Sequence, residues 1–365
     1  MTISKLTLTG FRNHISLNLS LNSNFVVICG QNGVGKTNVL EAISFLAPGK
    51  GFRNAGSEDI FNKNDNRLNE WAVSAELECG YDDIRITTGC KLDTYQNISR
   101  RIIKVNDELS YKSSELLNYL KVIWITPQTD RIFLESPGVR RKFLDRVTYN
   151  FFPLHASHIV NYEKLVRSRL KIIQQSKFDE IWVAALEKQL ATLNFQIYQN
   201  RTNCLNMIKE SLNLNSSNFL KPSIGLIGSI DNFLIDIKNN EVEQIQEKLK
   251  SNRRTDALSG RTNFGIHKSD IEAFHPIKHI KADQCSTGEQ KAMLISIILA
   301  QIKSIKQISS TPVILLLDEV FSHLDINFRQ NLIEELFALE VQAWITTANE
   351  HIIEEINYKK NVVLI

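Results

Sequence analysis

Gly30-Gln31-Asn32-Gly33-Val34-Gly35-Lys36-Thr37 is the stretch of sequence that decides the fold of this chain. It fits the pattern G-x-x-x-x-G-K-[ST], whose glycines let successive backbone N–H groups turn inward around phosphate oxygens. Residues 24–29 form an apolar run that predicts a buried strand, and residues 36–46 have helical spacing. Bound phosphates would therefore lie at a helix N-terminus, where free N–H groups and the helix dipole favour anions. The segment predicts a site for ATP or GTP.

Two residues of this loop have individual roles. Lys36 would reach the β and γ phosphates, and Thr37 would place its hydroxyl on Mg²⁺. The alternative is a glycine turn that merely joins a strand to a helix. Because the full pattern arises by chance in only about one chain in a hundred of this length, we favour nucleotide binding.

A second segment, residues 313–319, is an apolar strand that ends in Asp318 and Glu319. A strand that is apolar on both faces is typical of a parallel sheet covered by helices, and ligands bind at the carboxyl ends of such strands. Asp318 would hold Mg²⁺, directly or through water, and Glu319 would polarise the attacking water as general base. The alternative, a strand that stops at two solvated acids, is less favoured beside a phosphate loop.

A third segment, Cys285-Ser286-Thr287-Gly288-Glu289-Gln290, opens a predicted helix. Ser286 and Glu289 have the spacing of a capping box, so in isolation the segment is a well-capped helix. The three segments follow one another along the chain as a phosphate loop, a Ser-x-Gly-x-Gln motif and an Asp-Glu pair. In this order they resemble the motifs of the ABC-type ATPases. That resemblance implies that Ser286, Gly288 and Gln290 of one subunit close over the nucleotide held by another. ATP would then link two copies of the chain.

Other positions acquire roles from the same resemblance. Ser322-His323-Leu324-Asp325 resembles the D-loop, which makes His323 and Asp325 dimer-interface candidates beside Ser286 and Gly288. On local sequence alone these residues are equally well the N-cap and first turn of the next helix. Gln128 follows a buried strand where the ABC family has a glutamine that senses Mg²⁺, so it is a candidate metal and catalytic residue, although loop glutamines are common.

Four blocks of sequence narrow the resemblance further: residues 8–13, 30–43, 135–145 and 285–292. Together they resemble the RecF family of SMC and Rad50-like ABC ATPases over essentially the whole chain. The resemblance implies a role in recombinational DNA repair, replication restart and the SOS response to DNA damage. An ATP-induced homodimer would clamp duplex DNA or gapped and single-strand junctions. Slow hydrolysis would release it, and RecO and RecR would be partners in placing RecA at gaps.

Two details of the nucleotide site stay open. Arg12 resembles the arginine that reaches nucleotide phosphate in Rad50-like heads, but it is also consistent with a surface turn. ABC transporters have a histidine after the last core strand, whereas here Thr347 and Ala348 follow and His351 comes later. The sequence does not choose between Thr347 and His351 as a γ-phosphate sensor. Because electrostatic stabilisation of the transferred phosphoryl group is a large part of this catalysis, we expect slow hydrolysis.

The predicted architecture is an α/β ABC-type ATPase head, with mixed sheets and flanking helices, interrupted by a mainly helical lobe. With 365 residues the chain can form two domains. We assign residues 1–125 to the N-terminal part of the head, 126–265 to the inserted lobe and 266–365 to the C-terminal part of the head. The rival classes are the ATPase subunit of a membrane transporter and a structural chromosome protein of the SMC kind.

Charge and hydropathy give weaker information. The net charge of +3 does not diagnose nucleic-acid binding, but basic residues cluster. Such clusters can displace counterions from a phosphate backbone, although a charge run is more often a solvated helix face. The candidate DNA contacts are Arg140, Arg141, Lys142, Arg253 and Arg254. No apolar stretch has the length of a membrane span and no signal peptide is evident, so we expect a cytoplasmic, nucleoid-associated protein without a membrane partner.

Overall fold

The computed structural model describes residues 2–63, 69–78, 83–92, 100–110, 112–214, 219–237 and 239–365. Its strands, in chain order, are β1 Thr2–Phe11, β2 His14–Ser20, β3 Phe25–Cys29, β4 Glu70–Glu78, β5 Ile84–Lys91, β6 Ile102–Val105, β7 Glu108–Ser110, β8 Lys121–Ile125, β9 Ser223–Ile227, β10 Asp270–Phe274, β11 Val313–Asp318, β12 Gln342–Thr347 and β13 Lys360–Leu364. Its helices are α1 Lys36–Ser44, α2 Pro137–Tyr149, α3 His155–Ile173, α4 Glu180–Leu214, α5 Ser229–Ile235, α6 Glu241–Ser251, α7 Arg253–Ser259, α8 Thr287–Ile308, α9 Ile326–Ala338 and α10 His351–Glu355.

The chain divides into two compact units. Residues 1–130 and 306–365 form the first, which we call the head, and residues 131–305 form the second, which we call the lobe. The sequence analysis assigned residues 266–305 to the head instead. Their interactions explain the difference, since β10 pairs with β9 and Ser304 Oγ donates to Met207 O on α4.

Two sheets build the head. One is antiparallel, in the order β2-β1-β4-β5-β6-β7, and the other is parallel, in the order β13-β3-β12-β11-β8. Every residue of β3, β8, β11 and β12 is buried, as expected for parallel strands covered on both faces. α1 contacts β1 of the first sheet and β8, β11 and β12 of the second, so one apolar core joins the sheets through this helix.

The parallel sheet sets the position of the nucleotide motifs. β3, β11 and β12 run in the same direction, so Cys29, Asp318 and Thr347 end at the same edge of the sheet. Ligands bind beyond this edge in parallel sheets. The register brings the phosphate loop after β3 beside the two acids at the end of β11, although they lie near opposite ends of the chain.

The lobe is mainly helical. Its longest helix, α4, has 35 residues, which corresponds to about 50 Å at 1.5 Å per residue. α3, α5 and α6 bury apolar side chains against it in one core that includes Tyr162, Leu190, Ile230 and Leu249. β9 and β10 add a two-stranded sheet. Among the described helices of the whole chain, none combines the length and the apolar character that crossing a bilayer requires.

Candidate nucleotide site

The phosphate loop connects β3 to α1 as the sequence predicted. Gly33 has φ 88° and Gly35 has φ 112°, a left-handed backbone that is strained for residues with a side chain. A Cβ at Gly35 would also collide with the side-chain amide of Asn13. α1 begins directly after this residue, with Lys36. The loop therefore leads directly into the N-terminus of α1, where backbone N–H groups without an intrahelical partner can donate to phosphate oxygens.

Lys36 lies along the inside of the loop. Its side chain is 5% exposed, and its Nζ donates to Gly30 O at 2.8 Å and to Gln31 O at 2.9 Å. The same nitrogen lies 3.6 Å from Glu319 Oε1. The ammonium group thus sits between the loop carbonyls and the second acid of β11, where phosphate oxygens would compete with these weak partners for it.

Asp318 is the centre of the polar network. Thr37 Oγ1 donates to Asp318 Oδ1 at 2.9 Å, across 281 positions of sequence, and Thr346 Oγ1 donates to the same oxygen at 2.8 Å. Burial raises the pKa of Asp318, and the two hydroxyl donors oppose that rise. A threonine hydroxyl beside a carboxylate is the kind of hard oxygen set that Mg²⁺ accepts, so these residues fit the ion that the motif implies.

Glu319 has an unusual backbone. Its φ of 56° is left-handed, which for a residue other than glycine costs on the order of 1–3 kcal/mol and persists only where surrounding contacts fix it. Its N–H donates to Thr346 Oγ1 at 3.0 Å, and Ser322 Oγ donates to its carboxylate at 2.9 Å. The side chain is 26% exposed, so water can reach this carboxylate.

Thr346 is a residue of this site that the sequence analysis did not single out. It is fully buried at the carboxyl end of β12, and the register pairs it with Asp318. The sequence signal is a pair of hydroxyl residues, Thr346 and Thr347, that follows the apolar residues 343–345 of β12. That signal does not reveal which hydroxyl points to Asp318 because strand register is a tertiary property.

The turn between β1 and β2 braces the phosphate loop. The guanidinium of Arg12 donates two hydrogen bonds, of 3.0 and 2.7 Å, to the buried carboxylate of Glu41 on α1. It also donates to Asp59 O at 2.6 Å. Asn13 donates to Val34 O at 2.8 Å and accepts from Asn38 at 2.7 Å. Arg12, a candidate phosphate contact, is therefore held here by α1, and Asn13 is an additional brace of the loop that the sequence analysis missed.

The remaining head candidates lie around the same sheet edge. Gln128 is exposed in the loop after β8. Thr347 is buried, and its hydroxyl accepts from Asn349 N at 2.9 Å, while His351 begins α10 with a side chain that is 82% exposed. Asp325 caps α9 by accepting from Phe328 N at 2.9 Å. The side chain of His323 lies outside the described part of the structure, so only its place in the 3-10 turn Val320–His323 is known.

The signature residues lie in the lobe. Ser286 and Glu289 form the capping box at the start of α8, with Ser286 N donating to Glu289 Oε2 at 3.0 Å and Glu289 N donating to Ser286 Oγ at 3.3 Å. The bond from Lys278 lowers the pKa of Glu289 to about 2. A Cβ at Gly288 would meet nothing within 4 Å. Gln290 is buried and donates to Cys285 O at 2.9 Å, so its side chain braces the turn before the helix.

The basic candidates separate into two groups. Arg140 is paired with Asp270 through bonds of 3.0 and 3.2 Å from its Nε, and Arg253 forms two bonds, of 2.9 and 2.6 Å, with Glu187. These pairs link elements of the lobe, so both guanidinium groups already have carboxylate partners. Arg141 donates to Ser269 O at 3.1 Å. Lys142 and Arg254 are exposed on α2 and α7.

Comparisons with known proteins agree with one another. Residues 2–364 match the model of the RecF/RecN/SMC N terminal domain. The chain is 37% identical over 361 residues to the DNA replication and repair protein RecF of Rickettsia akari (strain Hartford), covering 99% of this chain and 98% of that protein. It is equally 37% identical over 361 residues to the protein of the same name from Rickettsia canadensis (strain McKiel), with the same coverage.

A solved structure supports the fold. That of the recombination mediator protein RecF-ATPrS in RecFOR pathway superimposes with a TM-score of 0.82 and 22% identity, covering 96% of this chain and 93% of that one. This likeness confirms the predicted fold class, an ABC-type head combined with a mainly helical lobe.

Proposed function

The chain belongs to the RecF branch of the RecF/RecN/SMC family of ABC-type ATPases, and from this premise we propose that it is an ATP-switched DNA clamp of recombinational repair. The observation that carries the proposal is the hydrogen bond from Thr37 to Asp318, which joins the phosphate loop to the end of β11 in one site. A glycine turn and an unrelated acidic strand end would have no reason to meet in this way. Relatives named as DNA replication and repair proteins supply the biological context.

Each candidate residue of the nucleotide site in the head has a role in this proposal. Backbone N–H groups of the phosphate loop and the ammonium group of Lys36 bind the β and γ phosphates. Thr37 and Asp318 hold Mg²⁺, which when bound neutralises charge on the phosphates. Glu319 accepts a proton from the attacking water. Arg12 and Gln128 serve as additional phosphate and metal contacts. The expected turnover is slow because no histidine follows β12 directly.

Closure requires a second copy of the chain. We propose that Ser286 and Gly288 of each subunit contact the γ phosphate held by the other, with Gln290 supporting their turn and His323 and Asp325 at the interface. ATP drives closure only to the extent that it binds the closed dimer more tightly than the monomer. The closed dimer grips duplex or gapped DNA, and hydrolysis releases it. The RecFOR pathway named for the structural relative supports RecO and RecR as partners. We propose RecA as the recombinase that these proteins place on DNA.

The lobe supplies the DNA-binding surface in this proposal. Lys142 and Arg254 are its surface candidates, together with Arg141, which precedes Lys142 on α2, because Arg140 and Arg253 are engaged in ion pairs. A protein of this kind works in the cytoplasm on the nucleoid. In this proposal the head carries the phosphate loop, Asp318 and Glu319, and the lobe carries both the DNA surface and the signature residues.

The test is the oligomeric mass of Glu319→Gln with no nucleotide, with ADP and with ATP, each with and without a gapped duplex. Losing the base should trap the ATP-bound dimer. We therefore expect a dimer with ATP but not with ADP or without nucleotide, and we expect this dimer to bind the duplex. Glu334→Gln is the matched control, since it removes an exposed charge on α9. A Glu319→Gln protein that stays monomeric in every state, or a dimer that ignores DNA, would contradict the clamp.

A further inference from the structure

We propose that Thr346 is a positioning residue for ATP hydrolysis, which holds Asp318 and Glu319 in one fixed arrangement through a single hydroxyl. The inference rests on the proposed ATPase function and adds a residue to it. Thr346 lies on β12, between β3 and β11, directly opposite Asp318 in the register of the parallel sheet. It is fully buried, so its hydroxyl has to find partners within the protein.

The hydroxyl uses both of its capacities in the site. A threonine hydroxyl has one proton to donate and lone pairs with which to accept. Here it donates to Asp318 Oδ1 at 2.8 Å and accepts from the N–H of Glu319 at 3.0 Å. Two consecutive residues with different proposed roles, holding the metal and accepting a proton, are therefore tied to the same atom.

The bond to Glu319 N fixes a backbone that has little intrinsic reason to stay in place. Glu319 is left-handed, with φ 56° and ψ 19°, and β11 ends at the residue before it. Such a conformation persists where the surroundings over-determine it. In this conformation Glu319 Oε1 lies 3.6 Å from Lys36 Nζ. Thr346 therefore acts on the carboxylate of Glu319 through the backbone of that residue.

The bond to Asp318 acts on the other half of the site. Asp318 Oδ1 accepts from Thr346 and Thr37 together, so the carboxylate is oriented from both sides, by β12 and by α1. Removing one donor leaves the carboxylate with a single hydroxyl partner on that oxygen. Thr346 does not itself occupy the loop that receives phosphates, so its loss should affect the chemical step more than the binding of ATP.

The experiment compares Thr346→Val, which keeps the shape and removes the hydroxyl, with Thr346→Ser, which keeps the hydroxyl. For Thr346→Val we expect kcat to fall on the order of 10²-fold, the effect of a misplaced catalytic group. The Kd for a fluorescent ATP analogue should stay within about threefold of the parent value. Thr346→Ser should recover kcat to within about threefold of the parent. Thr148→Val is the matched control, since it removes another fully buried hydroxyl, within α2.

A purely structural role gives different results. Because Thr346 acts partly through Glu319 and partly through Asp318, adding Thr346→Val to Glu319→Gln should lower single-turnover hydrolysis by a smaller factor than adding it to the parent, since coupled residues are not additive. The inference would be overturned if the losses in single-turnover rate multiplied in full in the double variant. Equal falls in kcat and ATP affinity, or a serine variant as slow as the valine variant, would overturn it as well. Thr346→Ala, which is smaller, replaces the valine variant if that protein does not fold.

Different results would refute the proposed function and this inference. A parent protein that neither binds nor hydrolyses ATP would end the proposed function. A parent protein that hydrolyses ATP, beside a Thr346→Val variant with unchanged kcat, would end the inference alone.

Discussion

Replacing Arg101 by methionine should destabilise the head although the residue looks like part of an exposed basic pair. Its guanidinium donates to Gly49 O at 2.5 Å, to Thr88 Oγ1 at 2.7 Å and to the carbonyl oxygen of Phe45, the C-cap of α1. A helix end leaves carbonyl oxygens without intrahelical partners, and Arg101 satisfies them there. The arginine is therefore a brace for the helix that carries the phosphate loop.

The magnitude follows from these bonds and their cost. A hydrogen bond to a charged group contributes about 1.5–3 kcal/mol. Burial of the charged guanidinium opposes the stabilisation from these hydrogen bonds, since burial lowers the pKa of Arg101 to about 10. Each pKa unit of that kind corresponds to about 1.4 kcal/mol. The net loss in Arg101→Met should then be about 3 kcal/mol, which lowers the Tm of a unit of this size by roughly 10 °C.

The assay is urea unfolding followed by tryptophan fluorescence, because Trp71, Trp124 and Trp344 are all buried in the head. Arg100→Met is the matched control: it removes the same charge from the preceding, exposed residue and should change the free energy of unfolding by less than about 0.5 kcal/mol. Equal losses for the two variants would refute the brace. An unchanged free energy of unfolding for Arg101→Met, combined with weaker DNA binding, would make Arg101 a DNA contact.

Three other predictions concern the signature, the DNA surface and pH. Ser286→Arg should leave ATP binding by the monomer intact and abolish the ATP-dependent dimer, as measured by light scattering. Arg254→Gln and Lys142→Gln should each weaken DNA binding and lower the salt slope by about one, without affecting the Tm. Burial raises the pKa of Asp145, but Arg201 and other partners outweigh it and the net pKa is lowered. Asp145 should therefore stabilise the lobe above its unfolded pKa of about 3.9, and this contribution is lost as the pH falls toward the lower folded value.

Controls distinguish these results from general damage. Monomeric Ser286→Arg protein with weaker ATP binding would mean that the signature acts within its own subunit. Arg253→Gln should lower the Tm of the lobe, because it breaks the pair with Glu187, whereas Arg254→Gln should not. For Asp145, urea midpoints between pH 5 and 2 should fall more steeply in the parent than in Asp145→Asn. Parallel slopes would contradict the assigned pKa.

Local sequence was enough to predict the ATPase head. The phosphate loop, the apolar strand before Asp318 and the capped helix that begins after Ser286 are each made of neighbouring residues. Their glycine positions, apolar runs and capping pairs act over a few residues, so the pattern can be read without the fold. The order of these motifs also indicated the family, which the comparisons confirmed.

The partners of charged residues were not predictable in the same way. Arg140 and Arg253 looked like surface charges because their acids, Asp270 and Glu187, are distant in sequence, by 130 and 66 positions. The segment 266–305 looked like part of the head because it precedes β11, but its hydrogen bonds and strand pairing are made with the lobe. In each case the deciding contact is non-local.

The sequence by itself therefore determined which chemistry the chain carries, since phosphate binding, helix capping and strand formation depend on residues close together. Only the tertiary structure decided how those pieces meet. It set the register that puts the hydroxyl of Thr346 on Asp318 and on the backbone of Glu319, and it set the turn in which Arg12 grips Glu41. The physical reason is that a hydrogen bond needs atoms within about 3 Å, and for residues far apart in the chain only packing brings them that close.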